Sequence, residues 1–371
     1  MNSTNIQADR YSFSVTIFHC MVLLALLGFV SLCKAAAPAD QHRQFAVGIK
    51  RTTFIDKTRG IKPSGEFPGS DERRVDVVIW YPTAVADGEP VEGAPLAQGG
   101  PWPLVVYGHG TLGYPENATH IVRHLVERGY VVVAPVFPLT SSVSFTGITR
   151  PGMFDTPNQP GDVSFVIDRM LADKVFSPAI DETRIGCLGH SLGAITCYFA
   201  SFGMQTRDAR IKASAMMGAG DPVQAALASD FGFDGVAHAP VSTPALFLTG
   251  DRDIFARIGG RPHGAYSRIE GPKYEVVING GVHVWFKDDA RALADGKNPD
   301  CLFFEKNLPG AVMPGCELRG GLVDPAVQQE IARVALLAFF DGYLKGDTSA
   351  ITALQHIGNS FPDVELLFEQ Q

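Results

Sequence analysis

The chain has 371 residues, 46% of them hydrophobic and 19% charged, which is enough apolar material for a large buried core and excludes a disordered chain. Its 31 Lys and Arg stand against 39 Asp and Glu, for a net charge of -8. No basic surplus exists to displace counterions, so nucleic acid is excluded as a partner.

From Val15 to Cys33 the chain is apolar and uncharged, with Arg10 before it and the small residues Ala35 to Ala39 after it. Residues 1–39 therefore read as a signal peptide with a cleavage site at Ala37-Pro38-Ala39. The mature protein is then secreted or periplasmic. The alternative is an uncleaved anchor, because the run is nearly long enough to cross a bilayer. Membrane contact is expected only through this segment, and only if it stays uncleaved.

Residues 40–371 read as a single catalytic domain. QFAVGIKR and VDVVIWYP are strands separated by a Gly/Pro/charged loop, Asp56 to Arg74. WPLVVYGHG follows as a strand, HIVRHLVERG as a helix ending on Gly129, YVVVAPVFP as a strand and DVSFVIDRMLADK as a helix. RIGCLGH and LGAITCYFASFG repeat the strand-helix unit, followed by the strands IKASAMMGAG, TPALFLTGD and KYEVVING. A last helix opens on Pro325, a favoured first-turn residue. Short apolar strands alternating with helices predict an α/β domain with a mostly parallel central sheet and helices on both faces. The longest irregular stretches, Leu139 to Pro160 and Asp300 to Gly321, are where substrate loops are expected.

Cys20 and Cys33 fall in the leader. Cys187, in a strand, and Cys197, on the next helix, are expected to stay reduced as small buried hydrophobes. Cys301 and Cys316 flank a Pro/Gly loop in an exported chain and are expected to pair. Closing that 15-position loop stabilises by about 3 kcal/mol in the chain-entropy account.

Two glycine-framed turns compete for the chemistry. Gly108, Gly110 and Gly113 spell G-x-G-x-x-G at a strand end, the spacing of a dinucleotide fingerprint. Such a site needs a carboxylate at the end of the next strand to hold the ribose. Here that strand ends Pro135-Val136-Phe137-Pro138, so a nicotinamide oxidoreductase is the weaker reading.

The second turn is GHSLG, Gly189 to Gly193, between the strand RIGCL and an apolar helix. Strand, sharp turn and helix are what a nucleophile elbow requires, with Ser191 at its apex. In hydrolases of that build an acid and then a His follow the Ser along the chain. His283 sits in the loop after KYEVVING, at a strand's C-terminal edge, and is the candidate base. His238 precedes a strand, His263 lies in a Gly/Arg/Pro loop and His356 lies beyond the closing helix; solvated or packing roles suit all three. Asp253 at the end of TPALFLTGDRD is the favoured acid, with Asp221 in GAGDP and Asp251 as alternatives. The opening GHGTLG turn then supplies an oxyanion amide from Thr111, paired with that of Leu192.

HGTLG, HLVERGYVVVAPVFP, QPGDVSFVIDRML and RIGCLGHSLGA together resemble the α/β-hydrolase families of predicted dienelactone hydrolases and platelet-activating-factor acetylhydrolase-like or cutinase-like esterases. The likeness runs from about Val75 to Trp285. It implies an α/β-hydrolase fold and a serine carboxylester hydrolase acting on a small-molecule or lipid-like ester. Phospholipid and polyester substrates are alternatives within that class, and a non-catalytic binding protein on the same fold is the rival outside it. Three departures stand out. Ser191 replaces the Cys nucleophile of dienelactone hydrolases proper, Ala194 stands where many relatives carry Gly, and His283 lacks the preceding Ser common in polyester hydrolases. No cofactor is expected, and no His/Cys/Asp spacing suggests a metal.

Overall fold

The computed structural model describes residues 45–370, apart from 86–87, 229–231, 234–236, 259–262, 308–309 and 311–312. The leader assigned to residues 1–39 lies outside them. Strands β1 (Ala46–Asp56) and β2 (Arg73–Thr83) form an antiparallel pair, with Ala46 opposite Thr83. The short β3 (Val91–Glu92) adds to the outer side of β1. Then come β4 (Trp102–Gly108), helix α1 (Thr119–Val126), β5 (Val131–Pro135), α2 (Gln159–Ala172), β6 (Ile180–His190) and α3 (Leu192–Phe202). The chain continues through β7 (Ile211–Met217), α4 (Pro222–Ala228), β8 (Ala245–Gly250), α5 (Ile254–Ile258), α6 (His263–Arg268) and β9 (Lys273–Ile278). It closes with α7 (Asp300–Asn307), α8 (Pro325–Lys345), α9 (Thr348–Gln355), α10 (Ile357–Ser360) and β10 (Val364–Glu369).

Among the described residues these strands make one sheet, ordered β10-β9-β8-β7-β6-β4-β5-β2-β1-β3. The block from β5 through β4, β6, β7 and β8 to β9 is parallel; β10 joins it antiparallel at one end and β2 antiparallel at the other, with β1 antiparallel to β2 and β3 parallel to β1. Every residue of β4, β5 and β8 is buried, because helices cover both faces of the sheet. On one face α1 and α8 pack Ile121, Leu125, Leu336 and Phe339 against Val105, Val132 and Leu248. On the other, α2 and α3 pack Val163, Ile167, Met170 and Ala200 against Val106, Val133 and Ile185. The Asp324 carboxylate accepts from the Ala326 amide at the start of α8, Pro325 occupies its first turn, and Gly346, at φ 74°, ends it.

The expected Cys301–Cys316 disulfide is present. Cys187 and Cys197 correct the sequence reading, because they too are bonded. Helix α3 doubles back over the strand that feeds it. That return brings the two Cα atoms to 5.6 Å, within the usual disulfide range, although ten positions separate them in sequence. Two further elements depart from expectation. The stretch from Asp300 opens as helix α7, and β10 lies antiparallel beside β9 as an edge strand.

The loop after β5 is held from below by a buried ion cluster. Arg73 is fully buried at the start of β2 and makes paired hydrogen bonds to Asp155 and to Asp162, at 2.6–2.9 Å. Asp155 sits in the 3-10 turn Met153–Asn158 and Asp162 in α2, so one guanidinium fixes both to the sheet.

Candidate active site

Ser191 stands between β6 and α3 with φ 55° and ψ -121°, a conformation that costs a non-glycine residue about 1–3 kcal/mol and lifts its side chain off the sheet. The flanking glycines are steric necessities. A Cβ on Gly189 would lie 2.1 Å from the Gly193 carbonyl oxygen, and one on Gly193 would lie 2.0 Å from that of Gly108. Gly110 is close as well but less so, since its Cβ would approach the Ser191 Cβ to 3.0 Å. The glycines that mimic a nucleotide fingerprint let the loop after β4 lie against the elbow.

That loop carries Thr111, which lines the same cleft as Ser191 and Leu192. Leu112 adopts φ 54° while its amide donates to the Thr140 carbonyl at 2.7 Å. The fully buried His109 braces the turn. Its Nδ1–H donates to the Gly110 carbonyl at 2.8 Å and its Nε2 accepts from the Phe137 amide at 3.1 Å. Those partners require the neutral ring, and burial holds its pKa down at about 4.

The structure brings Asp253 and His283 together. The Asp253 Oδ2 lies 2.9 Å from the His283 Nδ1, and its Oδ1 accepts from the Ala256 amide at 2.9 Å. Burial opposes the protonated imidazole, but the charge and hydrogen bond of Asp253 outweigh it, so the His283 pKa is raised. Gly218, at φ 61°, makes the space: a Cβ there would fall 2.9 Å from the His283 Nδ1.

The other candidates lie elsewhere. Asp221 accepts from the Val223 and Gln224 amides at the start of α4 and pairs with Arg268 at 2.5 Å. Asp251 accepts from the Gly280 amide at 2.6 Å, which ties the turn after β8 to the turn after β9, 29 positions away. The Nδ1 of His238 lies 3.1 Å from the Tyr198 hydroxyl and His356 is exposed, while the side chain of His263 lies outside the described residues.

Sequence reasoning did not single out several neighbours. The ring of His190 lies 4.7 Å from that of His283, centroid to centroid, and its Nε2–H donates to the His283 carbonyl at 3.1 Å. The ring of Phe255 packs at 4.3 Å against His283, and Phe303 and Phe304 from α7 extend that aromatic wall. Its signal in the sequence is the pair of adjacent aromatics beside Cys301. The cleft these residues line has a volume of about 730 Å³. No group of three or more potential metal ligands occurs among the described residues.

A protein-family model described as chlorophyllase matches residues 89–230, which include Ser191 but neither Asp253 nor His283. Lipase 1 of Moraxella sp. (strain TA144) is 24% identical over 187 residues, 48% of this chain and 53% of that protein. The chain thus spans about half the length of this curated relative. A ferulic acid esterase from Streptomyces cinnamoneus superposes with a TM-score of 0.64 at 22% identity, covering 90% of this chain and 98% of its own. The chain has the α/β-hydrolase fold. The strand order, the elbow after β6 and the carboxylate after β8 all fit that architecture.

Proposed function

We propose that this protein is an exported serine carboxylester hydrolase. The observation that carries the reading is the 2.9 Å contact between Asp253 and the His283 Nδ1, in the cleft that also holds the strained Ser191. Ser191 Oγ attacks the acyl carbon while His283 Nε2 takes its proton, and Asp253 holds the imidazole in the required tautomer. The tetrahedral oxyanion rests on the Thr111 and Leu192 amides. Collapse breaks the ester bond, His283 returns the proton to the leaving alcohol, and water repeats the cycle on the acyl-enzyme. The names of the similar proteins, a lipase and a ferulic acid esterase, support ester chemistry. The cleft favours an apolar substrate, because Phe255, Phe303, Phe304, Leu112, Met153 and Ile195 line it. Two disulfides among the described residues suit maturation in an oxidising compartment.

The test is hydrolysis of a nitrophenyl ester by the purified protein, together with labelling by a fluorophosphonate. Both are expected in the native protein and absent in folded Ser191→Ala, since one hydroxyl carries the covalent step. Labelling that persists without Ser191 overturns the assignment.

A further inference from the structure

We propose that Asp300 is a positioning residue for this site: its carboxylate ties the turn bearing Asp253 to the loop bearing His283, and its charge supports the imidazolium formed during turnover. The inference rests on the ester-hydrolase reading above.

Asp300 is fully buried and opens α7. Its Oδ2 accepts from the Ile254 amide at 3.2 Å and the His283 amide at 3.0 Å, and its Oδ1 accepts from the Val284 amide at 3.0 Å. One side chain therefore grips the residue after the acid, the base itself and the residue after the base. These donors are all uncharged, so the carboxylate sits in the interior on backbone hydrogen bonds alone. Burial of that kind costs several kcal/mol, a cost that neutral Asn or Ser would avoid at a helix start.

The surrounding charges decide what that carboxylate does. Asp253 faces it from the β8 turn, with the Arg252 guanidinium turned toward Asp251 at 3.5 Å. His283 faces it from the base loop, and the same imidazole feels the charge of Lys287 and has His190 behind it. On α7 itself Glu305 is taken up by Lys297. When His283 gains a proton it thus has one carboxylate on its Nδ1 and a second on its own backbone amide. Burial and the neighbouring Asp253 raise the Asp300 pKa to about 6, so at mildly alkaline pH the second charge is in place. The mount is rigid as well: Asn298 accepts from the Asp300 amide at 2.9 Å and donates to the Arg252 carbonyl at 2.7 Å, while the next residue, Cys301, is bonded to Cys316.

The experiment compares the full-length native protein with Asp300→Asn and Asp300→Ser. Imidazole NMR gives the His283 pKa, and nitrophenyl-ester kinetics give the pH profile of kcat/KM. Both variants are expected to lower the His283 pKa by about one unit and to shift the acid limb of kcat/KM downward with it, as loss of a nearby anion requires. At pH 8 kcat is expected to fall about tenfold or more with KM within about twofold, since the group acts after substrate has bound. An unmoved imidazole pKa in folded variants overturns the proposal, and so does failure of both variants to fold, which would assign Asp300 to the fold alone. The NMR titration needs no substrate. Failure of the ester-hydrolase reading would therefore appear separately, as native protein inert toward esters.

Discussion

At the residue scale, the three acidic candidates differ in what their oxygens hold. Asp253 spends one oxygen on the His283 ring and one on its own turn, whereas Asp221 holds the amides at the start of α4 and Arg268, and Asp251 holds the Gly280 amide across the sheet edge and Arg252. Asp253→Asn is expected to lower kcat by about ten thousand-fold, because an amide selects the wrong imidazole tautomer, as in the serine-protease precedent. Asp221→Asn should leave kcat within a few-fold while lowering Tm through loss of the half-exposed Arg268 pair; steady-state kinetics and thermal melts on both variants check this. Ser191, Asp253 and His283 could be nominated from the sequence because each ends or follows an apolar run, and the fold brings Asp253 against His283 and lines one cleft with Ser191 and His283. His109, His190 and Asp300 could not be, because their roles rest on contacts with backbone groups 28, 93 and 17 positions away.

At the scale of elements, the strand-turn-helix of β6 and α3 was legible from GHSLG and its apolar flanks, but the bond across it was not. Two apolar cysteines ten positions apart look the same whether they pack or pair, and the difference lies in how sharply the glycines let the helix return. Cys187→Ala with Cys197→Ala is expected to cost up to about 3 kcal/mol of stability while the folded fraction keeps its turnover. Cys301→Ser with Cys316→Ser should cost a similar amount and also lower kcat/KM, because α7 carries Phe303 and Phe304 on the cleft wall. Thermal melts and ester assays on the two pairs separate a staple under the elbow from one that holds the site.

Across the whole molecule, the alternation of strands and helices made the parallel sheet legible, while its antiparallel outer strand and its ionic centre were not. Nothing near Arg73 in the sequence points to Asp155 and Asp162, more than 80 positions on. Arg73→Met would leave those buried carboxylates without their shared guanidinium, Asp162 keeping only Arg59. The expected loss is about 3–5 kcal/mol, measured by chemical denaturation, with earlier proteolysis in the loop from Leu139 to Pro160.

Strand β10 covers one rim of the sheet. It pairs with β9 from Val364 opposite Ile278 to Glu369 opposite Lys273, and it turns Glu365 and Glu369 to solvent. Exposed strand rims recruit other chains, and charged side chains on the last strand discourage that. A chain ended at residue 362 would present β9, whose Tyr274, Val276 and Ile278 are fully buried here, with an open row of amides and carbonyls beside them. Such a protein should elute from size exclusion as larger species than the full chain at equal concentration, even with Ser191, His283 and Asp253 intact. The final strand thus acts as a solubility cap, and trimming it to obtain crystals would invite self-association through β9.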